Sequence, residues 1–153
     1  MVTAYTVLLT IHILAVATWL GGGSFVTTLM ARAHREKVPE RLAGLLRLVH
    51  PVASRVFPGA GLILVITGFW MIYNFGWPYD TWIILGTIGW AYSMFGGGVL
   101  IGPAVGKAVA LFDERGPSDP EWMAQARRAL MFARIDALVL TLMVVDMVIK
   151  PGT

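Results

Sequence analysis

The chain has 153 residues, of which 57% are hydrophobic and only 14% charged, with a mean hydropathy of +0.71. Soluble domains run nearer to about 45–50% apolar and about 25% charged, so this composition excludes a disordered chain and speaks against a soluble enzyme. The sequence has no cysteine, which excludes disulfides, thiolate zinc sites, iron–sulfur clusters and cysteine nucleophiles.

A membrane helix needs about 20 apolar residues to cross roughly 30 Å of hydrocarbon. Four stretches meet that length, at about 3–31, 56–77, 81–106 and 129–149. The first carries no formal charge and contains His12. It lacks a basic leading segment and is too long for a signal peptide, so it reads as a retained helix. The second and third are also uncharged, whereas Arg134, Asp136 and Asp146 interrupt the fourth. Residues 1–153 are therefore expected to form one all-α membrane domain, a bundle of four transmembrane helices.

The connectors fix an expected orientation. Arg32, Arg35, Lys37, Arg41 and Arg47 fall between the first two stretches, and Lys107, Arg115, Arg127 and Arg128 between the last two. The middle connector and the N-terminal tail hold no Lys or Arg, and the C-terminal tail holds only Lys150. The positive-inside rule then predicts that the first and third connectors face the cytoplasm of a bacterial-type inner membrane, with both termini outside. Nucleic acid is not an expected partner, because the basic residues are few and mixed with Glu36, Glu40, Asp113 and Glu114.

Within the first connector, Val38, Leu42, Leu45, Leu46, Val49, Val52 and Val56 recur at helical spacing. Helix two is thus predicted to start near Pro39 and to project beyond the membrane, with Pro51 and Pro58 as candidate bends. The outer hairpin, Tyr73 to Trp82, holds five aromatic residues and reads as an interfacial belt. In the third connector, Asp119 suits a helix cap and Pro120 the first helical position. Gly98, Gly102 and Gly106 place small residues four apart in helix three, which suits close helix packing or leaves room for a flat ligand.

Polar groups at membrane depth are costly, and each is a functional candidate. His12 is expected about 13 Å below the outer surface at 1.5 Å per residue, above a face that continues through Ala15, Trp19, Gly22, Gly23 and Val26. A neutral imidazole there is either a packing residue bonded to another helix or a ligand for haem iron or copper. His50 belongs near the opposite surface, too far from His12 to share one haem. Arg55 and Asp136 fall at similar depth and are expected to pair. Met71, Met143 and Met147 lie in the outer half and, with His12, compose a candidate Cu(I) set, although methionine also fills apolar cores.

The residues Ile11-His12-Ile-Leu-Ala-Val-Ala-Thr-Trp19-Leu-Gly-Gly22, Pro58-Gly-Ala-Gly-Leu-Ile-Leu-Val-Ile-Thr67-Gly68, Arg134-Ile-Asp136 and the closing Lys150-Pro151 support a comparison. Together they resemble the four-helix membrane superfamily that holds HemJ-type protoporphyrinogen oxidases, the copper-resistance D family and neighbouring families of unknown function. The resemblance implies a b-type haem held through His12. It also leads one to expect a lysine in helix three, where this chain reads Thr81-Trp-Ile-Ile-Leu-Gly-Thr-Ile-Gly-Trp90, so it points to an uncharacterised branch.

The leading expectation is a membrane haem-b or porphyrin protein with His12 as axial ligand and Trp19, Gly22 and Gly98 around the macrocycle. The sixth position is open or filled by Met94 or Met71, and quinone is a candidate electron partner. The alternatives are a copper-handling protein using His12, Met71, Met143 and Met147, or an accessory subunit of a larger membrane complex. Lipid is the expected surrounding, and an oligomer is compatible with the sequence.

Overall fold

The computed structural model describes residues 3–152 and is all-helical over that range. Four long helices follow one another: α1 (Ala4–Arg35), α2 (Pro39–Phe75), α3 (Thr81–Arg115) and α4 (Pro120–Ile149). Helix α1 packs on α2 and α4, and α3 packs on the same two, so α1 and α3 stand diagonally in an up-and-down bundle. One end of the bundle carries residues 36–38 and 116–119. This basic end is opposite the aromatic end, which holds the hairpin at 76–80.

Local chemistry accounts for the helix ends. Thr3 Oγ1 accepts from Thr6 N–H at 3.2 Å and starts α1. Asp119 accepts from Glu121 N–H at 2.7 Å, with Pro120 at the first position of α4, as expected from the sequence. Helix α2 begins at Pro39 and closes on Gly76 at φ 66, a left-handed conformation that costs glycine little. It runs unbroken through Pro51 and Pro58.

The connectors are much shorter than the basic stretches suggested. Helices of 32, 37 and 35 residues exceed what the hydrocarbon requires, so α1, α2 and α3 carry their charged ends as further helical turns. These three are long and apolar enough to cross a membrane. Helix α4 has 30 residues but includes Arg134, Asp136 and Asp146, and does not join that set.

The interior has two parts. At the basic end, Met30, Leu42, Leu46, Ala108, Leu111, Trp122, Ala129 and Leu130 form a packed core contributed by all four helices. Charged side chains surround it, among them Arg47 paired with Asp113, and Arg41 with Glu36 at 2.8 Å. Glu36 sits below the ordinary carboxylate range, chiefly because Arg41 hydrogen-bonds to it and Arg32 adds to the effect. Closer to the aromatic end, Ala15, Trp19, Ala60, Leu64, Leu140 and Met143 form a second, smaller cluster. Much of the remaining apolar surface points outward, including Leu14, Phe25, Ile66, Ile88, Phe95 and Val99. That is the arrangement expected when lipid, not water, is the neighbour.

Small residues set the helix separations. A Cβ at Gly89 would lie 2.6 Å from Met143 Cγ and 2.8 Å from its sulfur. Met143 Cγ is close to the α4 backbone, so the side chain clears the new Cβ by turning its first torsion, with the flexible thioether following. Gly89→Ala is therefore expected to cost only about 1 kcal/mol, read as a small drop in thermal midpoint in detergent. A midpoint unchanged or raised would mean that α3 and α4 are not held apart by this contact.

Two π-helical turns interrupt α1 and α3, at Ala17–Gly21 and Gly97–Ile101. Each adds a residue to a turn within a glycine-containing stretch, a feature often found beside functional sites.

Candidate functional site

Two cavities open inside the bundle, and the Trp19 cluster separates them. Leu64 and Trp90 face one side, whereas Trp19 and Leu140 face the other. Trp90 Nε1 donates to the Gly61 carbonyl at 2.9 Å and fastens α3 to α2 at this septum.

The aromatic-end cavity, of about 320 Å³, lies within the size range of small-molecule sites. His12 lines it from α1 and is 7% exposed. Its Nδ1 lies 3.0 Å from Thr67 Oγ1 on α2. The Thr67 hydroxyl donates to the Ile63 carbonyl at 2.7 Å, so its oxygen is left to accept and Nδ1 carries the ring proton. The Leu64 carbonyl is a further backbone partner of the ring, and with the proton on Nδ1 the unprotonated nitrogen is Nε2. A bond of this kind fixes the tautomer and ring orientation and raises the basicity of the second nitrogen. Gly68 makes space for the ring: a Cβ there would sit 3.3 Å from His12 Cε1.

The rest of the cavity is mostly apolar. Met71, Met147, Trp77, Trp82 and Trp90 contribute walls, with Gly86 beside them. At the rim, Lys150 Nζ lies 4.5 Å from the Trp77 ring centroid and 5.3 Å from that of Trp82. Tyr5 and Phe75 extend this aromatic group by an edge contact at 5.0 Å. Trp82 Nε1 is buried in the cavity wall without a hydrogen-bond partner. Asp146 Oδ2 is likewise buried and unpartnered, beside Gly86.

Several expected companions of His12 lie elsewhere. Trp19 and Gly98 line the second cavity, together with Met94 and His50. Gly22 packs against Phe57, where a Cβ would lie 3.0 Å from the ring. Of the three methionines, Met71 and Met147 share the cavity with His12, whereas Met143 is buried in the septum against Gly89. Arg55 and Asp136 are not joined. Arg55 is exposed and its Nη1 turns back along α2 to the Pro51 carbonyl at 3.5 Å, while Asp136 stands beside Ser93 inside the bundle. Thr67 is the site residue that residue-type reasoning missed. The signal was the Thr67-Gly68 pair in the second span, since both residues serve the His12 ring.

The chain belongs to the family described as Predicted integral membrane protein (DUF2269), whose model matches residues 6–151. No curated protein and no solved structure matches it.

Proposed function

Taking membership of an integral membrane family as the premise, we propose that this protein holds haem b or a related porphyrin in the aromatic-end cavity, with His12 Nε2 as the axial ligand. The observation that carries this reading is the His12–Thr67 bond, which leaves a neutral, oriented imidazole nitrogen within a largely apolar cavity. The other donors suit the same class of ligand. Aromatic walls accept a flat macrocycle, and Lys150 and the unpartnered Trp82 N–H suit carboxylate substituents at its edge. Met71 lines the same cavity and would be a second residue to hold the group, whereas Met94 belongs to the other cavity.

When bound, haem would supply one-electron redox chemistry. The chain's own residues would orient the ligand nitrogen, enclose the apolar ring and anchor its charged edge. Quinone or a neighbouring membrane protein is the proposed electron partner. We place all four helices across a bacterial-type inner membrane, with the basic end in the cytoplasm and both termini outside. Helix α4 supports this by presenting Leu138, Leu142, Val145 and Val148 outward, and the positive-inside rule supports the orientation.

Titrating haemin into the detergent-purified protein tests whether the Thr67 bond to His12 supports binding. Thr67→Val is expected to weaken binding by about tenfold or more. Equal affinities for the variant and the original chain would contradict it.

A copper reading has one specific support: Met71 and Met147 reach the same cavity as His12. Among the described residues, no group of three or more His, Asp or Glu could hold a metal, so copper would rely on imidazole and thioether donors. Anaerobic Cu(I) loading of the Met71→Leu/Met147→Leu double variant addresses this. Copper retention that is undiminished would remove the reading.

A further inference from the structure

The second cavity, of about 450 Å³, lies on the basic-end side of the septum and does not contain His12. Its walls are apolar and partly aromatic, with Trp19, Phe57, Met94 and the glycines of the α3 π turn. A Cβ at Gly97 or Gly98 would meet nothing within 4 Å, so that wall stands open.

Two polar side chains on this cavity have no side-chain partner beyond each other among the described residues. Ser93 is 1% exposed, and its hydroxyl is the one group placed to donate to the buried Asp136 carboxylate. No Lys or Arg lines the cavity, and Arg55 is engaged with Pro51. His50 lines the same space against Gly106. It lies roughly 18 Å further from the aromatic end than Ser93 or Asp136 at 1.5 Å per residue, so it cannot compensate the carboxylate. A carboxylate at this depth needs a cation as well as hydrogen-bond donors, and among the described residues the cavity offers it one hydroxyl, that of Ser93, and no cation.

We propose that this cavity is a second binding site, for an amphiphilic amine whose ammonium group pairs with Asp136 and bonds to Ser93 Oγ while its apolar body lies among Trp19, Phe57 and Met94. An ammonium group supplies the missing positive charge to Asp136, donates to the Ser93 oxygen and also suits the faces of the aromatic walls. A neutral apolar molecule would leave the carboxylate without a cation.

Equilibrium dialysis of the full-length protein in a nonionic detergent tests this with two probes, 1-(aminomethyl)naphthalene and 1-naphthalenemethanol. They share a ring and differ in the charge of the head. The amine is expected to bind about tenfold tighter than the alcohol. Asp136→Asn should bring the amine down to the level of the alcohol, whereas Asp146→Asn should preserve the difference. Gly98→Leu projects into the open wall and should weaken both probes, and it decides the matter if Asp136→Asn does not fold. Equal binding of the two probes, a preference that survives Asp136→Asn, or full binding by Gly98→Leu would each overturn the proposal.

Discussion

Trp122→Ala is expected to lower the stability of the detergent-purified protein by about 3–5 kcal/mol, the usual cost of emptying a buried tryptophan site. Trp122 is fully buried, and its ring meets Phe112 edge-on with centroids 5.0 Å apart. Its Nε1 donates to the Pro117 carbonyl at 3.0 Å, which ties α4 to the connector before it. The location makes the loss large. Between lipid-embedded helices there is little hydrophobic driving force, because lipid tails are as apolar as the side chains. The basic-end core is ringed by arginine, lysine and carboxylates, so water is its neighbour and burial there is worth about 25 cal/mol per Å² of apolar surface. Trp122→Phe keeps most of the ring contact and loses the hydrogen bond, with an expected cost of about 1 kcal/mol. Reversible unfolding followed by circular dichroism gives both values. A Trp122→Ala protein as stable as the original would mean that this end is not a core.

The second large effect is expected at Gly61. A Cβ at this position would lie 2.6 and 2.8 Å from two atoms of the Trp19 ring and 3.1 Å from Met94 sulfur. The ring is 4% exposed and packed on Ala15, Ala60 and Leu64, and a rigid indole can move only as a whole into the second cavity, giving up those contacts. Gly61 also accepts the Trp90 N–H bond on its carbonyl, and a shift of α2 away from Trp19 would strain that bond. Helix propensity favours a side chain over glycine by about 1 kcal/mol. Overpacking at a rigid contact costs more, so Gly61→Leu is expected to lose about 3 kcal/mol net. The comparison with Gly89→Ala separates the two kinds of contact, since a flexible methionine yields where an indole does not. A Gly61→Leu variant with the original thermal midpoint would show that the septum is loosely packed.

The helices were legible because charge-free apolar runs of this length have few other uses. The start of α4 was legible because Asp119 and Pro120 are chemically suited to those two positions. The length of the connectors was not. Arg32 and Arg35 look like loop residues by charge, yet they continue α1 as further helical turns. His12 stood out as an imidazole within an apolar run, but its partner Thr67 is 55 residues away, and the Thr67-Gly68 pair is the one local sign of that contact.

Depth arithmetic gave height without azimuth. Arg55 and Asp136 were placed at one level, and the structure turns one outward along its own helix and the other inward to Ser93. Trp19 was misplaced in height instead. Seven residues separate it from His12, about two turns or roughly 10 Å of rise, which carries Trp19 to the septum and its second cavity. Gly21 in the first π turn and Gly97 and Gly98 in the second gave no sign in the sequence that the helix would widen there.

The most direct test of the central claim is the absorption spectrum of the protein purified in mild detergent from haem-replete cells, alone and as His12→Ala. A Soret band in the original chain, lost in His12→Ala and restored when free imidazole is added to the variant with haem, is the expected result. A colourless original protein, or a His12→Ala protein with an unchanged Soret band, would contradict it.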